Sequence, residues 1–200
     1  LGSRACKIDC MKFVKLLLIS IGVLLGLFVV ITFFLPKDYH IERSVVIEAP
    51  ALVVYSQVVD LKACQNWDPW NELDTDMVIA YGEKTVGAGA SYSWTSEVAG
   101  NGSMEIIEAT APTSVRYKLL FEGYGDNPGY SSVLLNAESP VGPTTVTWTF
   151  DGDVGDKFFA RWFAVTMDAF IGPSYEKGLG MLKELCEEMF DTLPDDPRQP

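Results

Sequence analysis

One histidine, His40, is all that 200 residues offer, and the four cysteines show no ligand spacing with it or with each other. That scarcity removes the usual zinc sets and every nucleophile that needs an imidazole beside it. His40 lies five residues beyond an apolar run and reads as an exposed residue near a membrane, not as a general base. Basic residues are also short: 15 Lys and Arg stand against 27 Asp and Glu, a net charge of −12. Such a chain is no partner for nucleic acid, whose phosphates demand a basic face.

Other signatures are missing as well. No G-x-x-x-x-G-K-[ST] loop and no G-x-S-x-G elbow occurs, and Gly87-Ala88-Gly89 lacks the third glycine and the following helix of a dinucleotide fingerprint. Asp151-Gly152-Asp153-Val154-Gly155-Asp156 has an acid where a calcium loop needs its turn glycine, so it reads as a solvated loop. Asn101-Gly102-Ser103 matches a glycosylation acceptor, but Asn-Gly is better explained as a hairpin turn. No internal repeat or low-complexity block is present. The expectation is no cofactor, no metal and no catalytic constellation.

What is present begins with residues 16–35, twenty in a row without a charge. A helix rising ~1.5 Å per residue needs ~20 apolar residues to cross ~30 Å of hydrocarbon, so this run reads as a transmembrane anchor. A cleaved signal would carry a shorter apolar core and a small-residue cleavage site, and Phe33-Phe34-Leu35-Pro36-Lys37 provides none. A lipoprotein is disfavoured because Cys6 and Cys10 precede the run. Residues 1–37 hold five basic groups and one acid, whereas the remainder holds 10 and 26. Arg4, Lys7, Lys12 and Lys15 lie before the run, which places the amino end in the cytoplasm and the domain outside, on a single-pass protein of the cytoplasmic membrane. Residues 1–15 form the basic leading segment, of which 1–10, ahead of Met11, read as an upstream extension.

The rest suits one domain, residues 39–192, with a disordered tail at 193–200. Alternating or β-branched stretches predict strands at 39–48, 77–81, 90–95, 103–110, 114–122, 130–137 and 144–152. Ala49-Pro50 opens a helix at 51–60 and a second short one spans 61–66, ahead of a turn at Trp67-Asp68-Pro69-Trp70. From 157 to 192 the period becomes helical, with Phe159, Phe163, Met167, Phe170, Ser174, Gly178, Met181, Leu185 and Met189 on one stripe. Gly172-Pro173 in the middle predicts a kink or break. Close successive strands imply an antiparallel meander, hence an α+β fold in which a curved seven-stranded sheet wraps a long C-terminal helix.

Parity along the strands puts Tyr92 and Trp94, Met104 and Ile106, Val115, Tyr117, Leu119 and Phe121, and Val146, Trp148 and Phe150 on the inner face. Ser91, Ser93, Arg116, Lys118, Thr145, Thr147 and Thr149 would face water. Alternation alone leaves open whether the inner rings fill a core or line a hollow. Glu108 shares the parity of Met104 and Ile106, so it reads either as an inward carboxylate that could orient a ligand or act as a base, or as an exposed acid at a strand end.

The order of elements, Ile47-Glu48-Ala49-Pro50, Trp67-Asp68-Pro69-Trp70, Tyr92-Ser93-Trp94, Thr147-Trp148-Thr149 and the stretch from Phe170 through Leu179 resemble bacterial SRPBCC proteins. These form the polyketide cyclase/dehydrase-like branch of the START and birch-allergen superfamily. The resemblance covers essentially the whole domain and implies a helix-grip fold with a cavity for an apolar small molecule or lipid. That cavity would be lined by Tyr92, Trp94, Met104, Ile106, Glu108, Tyr117, Leu119, Phe121, Trp148 and Phe150 from the sheet, and by Phe163, Met167 and Phe170 from the helix. It carries over no catalytic set. In the resembled fold the short helices cradle the end of the long one, which implies a Cys64–Cys186 disulfide in an oxidising compartment.

Three functions stay open at this stage. The first is a tethered, non-catalytic binder or carrier of a hydrophobic molecule; the second is a cyclase, hydratase or hydrolase using Glu108 or a tyrosine hydroxyl. The third is an interaction or sensor module with a filled core. The expected partners are an apolar ligand and the membrane.

Overall fold

A computed structural model describes residues 2–123, 127–155 and 157–192, with side chains from residue 12 onward. The expected tail at 193–200 and Asp156 of the acidic loop lie outside the described residues. Helix α1 (Gly2–Phe34) takes in the basic leading segment as well as the apolar run. Within it, Lys12–Phe34 is long and apolar enough to cross a membrane.

After α1 the chain enters β1 (Asp38–Ile47), then the short helices α2 (Ala51–Val58) and α3 (Leu61–Cys64) and a 3₁₀ turn at Pro69–Glu72. The caps explain the breaks. Pro50 accepts from the amides of Val53 and Val54 at the start of α2, the Asp60 carboxylate accepts from Lys62 N at 2.9 Å, and that of Asp68 from Trp70 N at 3.0 Å. Six strands follow: β2 (Val78–Tyr81), β3 (Ser91–Thr95), β4 (Gly102–Thr110), β5 (Ser114–Phe121), β6 (Gly129–Ala137) and β7 (Thr144–Asp153). Helix α4 (Ala160–Asp191) closes the fold.

The sheet is antiparallel throughout, in the order β1-β7-β6-β5-β4-β3-β2. Its register sets which ends meet. Asp38 faces Asp153, Tyr130 faces Asp151, Phe121 faces Gly102 and Val78 faces Thr95. The start of β1, where the chain leaves α1, therefore shares one end of the sheet with the loops before β2, between β3 and β4, between β5 and β6, and after β7.

Inward parity holds along β3, β5 and β7, with Tyr92, Trp94, Val115, Tyr117, Val146, Trp148 and Phe150 all buried. Thr149, expected to face water, is buried too. In β4 the parity fails. The β4–β5 register shifts between Ile106 and Glu108, so Ile107 is the extra residue of a bulge and Glu108 turns outward opposite Arg116. The inward-carboxylate reading of Glu108 is corrected by that single insertion.

Helix α4 lies along β1, with Ala164, Met167, Tyr175, Leu179, Leu182, Cys186 and Phe190 on its buried side. That side is rotated by about one residue, ~100°, from the stripe read in the sequence. Phe163 and Phe170 are accordingly exposed, at 43% and 69%. Of the expected kink or break, the break does not occur, and α4 runs as one helix through Pro173. Gly172 faces β1, where the Arg43 guanidinium takes the place of a side chain: a Cβ on Gly172 would sit 2.1 Å from Arg43 Nη2. From there Arg43 bonds Asp168 through Nη1 and Nη2 (2.9 and 3.2 Å) and Glu176 through Nε (2.7 Å), strapping the edge strand to the helix.

Candidate functional site

Between the sheet and α4 lies a cavity of about 390 Å³, within the ~300 to 1,000 Å³ common for small-molecule sites. Tyr92, Trp94, Met104, Tyr117, Leu119, Phe121, Trp148 and Phe150 line it. Five other residues assigned to it from the sequence lie elsewhere. Ile106 is buried beside Ala90 without reaching the hollow, and the bulge turns Glu108 away. The rotation of α4 turns Phe163 and Phe170 outward and presents Ile171 and Tyr175 to the cavity, while Met167 is buried on the packed side of α4 without lining the hollow.

The sequence reading missed the wall made by the 3₁₀ turn and the residues on either side of it: Trp67, Asp68, Trp70, Leu73 and Met77. Irregular backbone has no periodicity to reveal such a face. Two indoles in a four-residue turn were the available signal, since a turn has no use for that much apolar surface unless it packs inward.

Trp148 organises the closed part of the cavity. It stacks on Tyr175 with ring centroids 3.8 Å apart at 14°, and meets the edges of Trp67 at 5.2 Å and Trp70 at 6.1 Å. Gly178 of α4 makes room for it, because a Cβ there would stand 2.8 Å from the indole. Trp148 Nε1 donates to Ser131 Oγ at 2.8 Å, and Ser131 Oγ and Tyr175 Oη share a bond of 3.2 Å. On the other side, Trp94 packs against Tyr92 and Phe121 at 5.9 and 5.6 Å.

At the floor, the C-terminal carbonyls of α2 collect donors. Gln57 O accepts from Trp67 Nε1 at 3.2 Å and from Cys64 Sγ at 3.4 Å, and Val58 O accepts from the Tyr117 hydroxyl. Cys64 and Cys186 are both free thiols, which corrects the expected disulfide. Cys64 is turned to α2 and the cavity, whereas Cys186 sits on the packed face of α4. Burial pushes the Cys64 thiol well up and that of Cys186 up to about 12, so neither is a thiolate at neutral pH.

The other titratable groups of the wall behave alike. Desolvation raises the phenols of Tyr92, Tyr117 and Tyr175, keeping them protonated. Asp68 is the one carboxylate on the lining, and burial raises it despite the opposing bond from Trp70 N. Among the described residues, the only buried side-chain nitrogen or oxygen without a partner is Arg161 Nε, outside the cavity. No group of three or more His, Cys, Asp or Glu is placed to hold a metal among them.

The mouth is marked by lining residues that are themselves exposed: Leu73 at 60%, Val98 at 71%, and Ala99. Its two loops are joined by the Ser96 hydroxyl, which donates to Asp74 Oδ2 at 2.5 Å and accepts from Val98 N and Ala99 N at 3.1 and 2.7 Å.

With this geometry established, comparison with known proteins gives a consistent picture. The family described as polyketide cyclase / dehydrase and lipid transport matches residues 38–187. No curated protein is similar enough in sequence to count as a match. Among solved structures, one from Thermobifida fusca is 19% identical with a TM-score of 0.56, covering 75% of this chain and 94% of that one. A norcoclaurine synthase point mutant from Thalictrum, bound to a transition-state analogue, is 12% identical with a TM-score of 0.56, covering 76% and 96%. A conserved protein of unknown function from Enterococcus faecalis is 12% identical with a TM-score of 0.52, covering 79% and 76%. At these identities the likeness is one of fold.

Proposed function

The chain belongs to the polyketide cyclase / dehydrase and lipid transport family, and on that premise we propose that it is a membrane-tethered binder of an apolar small molecule or lipid, held in the cavity without being transformed. The observation that carries this reading is the state of the wall: large rings, polar atoms bonded within the protein, and thiols and phenols held neutral by burial. Such a surface offers dispersion and desolvation but no nucleophile. Burying ~300 Å² of apolar ligand at ~25 cal/mol/Å² contributes ~7 kcal/mol against association costs of at least ~4 kcal/mol, so micromolar affinity needs added polar contacts. Asp68, Ser131 and Tyr175 are placed to supply them. The void speaks against a module with a filled core.

One observation favours a second reading. Asp68 carries a raised pKa on an otherwise apolar wall, which is the environment of a general acid. An enzyme built on this cavity would use Asp68, not Glu108. One experiment addresses both readings: mass spectrometry of the small molecules retained by full-length protein extracted in detergent, for the wild type, Met104→Trp and Asp68→Asn. The binder reading expects an apolar molecule that Met104→Trp displaces by filling the hollow and that Asp68→Asn retains chemically unchanged. Retention by Met104→Trp overturns the cavity as its site. A different molecule accumulating in Asp68→Asn supports catalysis.

A further inference from the structure

The junction between α1 and the domain is a packed joint. Trp162, in the first turn of α4, stacks on Phe28 with centroids 5.0 Å apart at 3°, and its Nε1 donates to Thr32 Oγ1 at 2.7 Å. Phe159 also stacks on Phe28, at 6.4 Å. Arg161 Nη1 donates to the carbonyls of Phe33 and Leu35, at 2.7 and 3.2 Å, closing the exposed end of α1.

Depth follows from the helix rise. Thr32 and Phe28 precede Leu35 by three and seven residues, so at ~1.5 Å per residue they lie ~5 and ~10 Å inside the end of the apolar run. The rings of Phe159 and Trp162, packed on Phe28, are therefore level with its last two turns. Tryptophan and arginine at that level match the aromatic and cationic belt of a bilayer interface, and Phe159 remains 69% exposed there, as an apolar side chain facing lipid would be.

The mouth lies at the same end of the sheet. Its loops precede β2 and join β3 to β4, and the register sets both at the end of the sheet where the chain leaves α1, although β2 and β3 lie at the opposite edge from β1. We propose that this end of the domain, the first turn of α4 together with the Leu73 and Val98 loops, is a membrane-contact surface through which the ligand passes directly between leaflet and cavity. The inference rests on the tethered-binder reading and adds an orientation, mouth toward the lipid. Asp74, Glu97 and Glu122 near the rim oppose an anionic surface, so contact depends on the anchor and the apolar rim and not on charge attraction.

The test uses the full-length chain in nanodiscs of brominated phosphatidylcholine, whose isotope pattern marks lipid taken from the bilayer. A photo-crosslinking p-benzoylphenylalanine is placed in turn at Val23 in α1, Phe159, Glu97 on the rim but off the cavity lining, and Val141 in the β6–β7 loop at the opposite end of the sheet. Brominated adducts are expected at Val23, Phe159 and Glu97, several-fold above those at Val141. An adduct at Val23 with Glu97 no higher than Val141 overturns the orientation and leaves the tether standing. No adduct at Val23 removes the tether, and the inference with it.

Discussion

The two halves of α4, on either side of Pro173, carry different loads. Beyond Pro173, Tyr175, Gly178, Leu179, Leu182, Cys186 and Phe190 are buried, Lys183 Nζ donates to Val46 O at 2.7 Å, and Glu187 accepts from Glu48 N at 2.8 Å. Before Pro173, only Ala164, Met167 and Gly172 are buried, and Phe159, Phe163, Val165 and Phe170 are exposed. The far half stabilises the fold, while the near half leaves room for the cavity mouth and the joint with α1. A domain that must hold a void gathers its packing where the void is not.

Substitutions should separate those roles. The largest effect is expected from Leu182→Ala, a truncation at a site with no exposure. It should cost about 2 to 5 kcal/mol in denaturant unfolding while folded molecules keep their ligand affinity. Lost affinity at unchanged stability would erase the division. Gly178→Val probes the place where the far half touches the cavity wall. A side chain 2.8 Å from Trp148 and 3.1 Å from Pro69 must displace both, at about 1 to 3 kcal/mol, and because Trp148 is cavity wall, the same change should weaken binding.

The smallest effect belongs to the start of β1, next to α1. His40 Nδ1 lies 2.6 Å from Asp151 Oδ1, and that bond raises the imidazole above its ordinary value, with Glu42 adding to it. A raised folded pKa means that the contribution is fully present below the unfolded value of ~6.5 and fades as pH rises through the folded one. The pair is solvent-exposed, so the gain is slight. Wild type should lose a little more thermal stability than His40→Gln as pH rises from about 6.5 through the raised folded value. Parallel profiles would show that the contact contributes nothing.

All seven strands were legible in the sequence because period-two alternation survives wherever one face is buried. Glu108 was misread because one residue inserted at Ile107 reverses parity, and nothing in Met104–Thr110 announces a bulge. The α4 face was misread for another reason. With Phe159, Phe163, Val165 and Phe170 all outward, its first half is apolar nearly all round, and a period cannot be phased from such a segment. Eight of the nine sheet residues on the cavity wall lie on the inner face that strand parity gave, Ser131 being the one missed, whereas Asp68, Trp70 and Ile171 depend on how a 3₁₀ turn and a rotated helix close over the sheet. Cys64 and Cys186 were paired on element proximity alone, which says nothing of the direction in which each thiol points.

The grip of Arg161 on Phe33 and Leu35 has a mechanical consequence. A span joined to its domain by a loose linker can lean without disturbing its cargo. On the tethered reading proposed above, the guanidinium and the Phe28–Trp162 stack make span and domain a single lever. A bilayer thinner than the Lys12–Phe34 span is matched by tilting the helix. With the mouth oriented as proposed, that tilt would swing the Leu73 and Val98 rim with it, so membrane thickness itself would set how squarely the mouth meets the lipid.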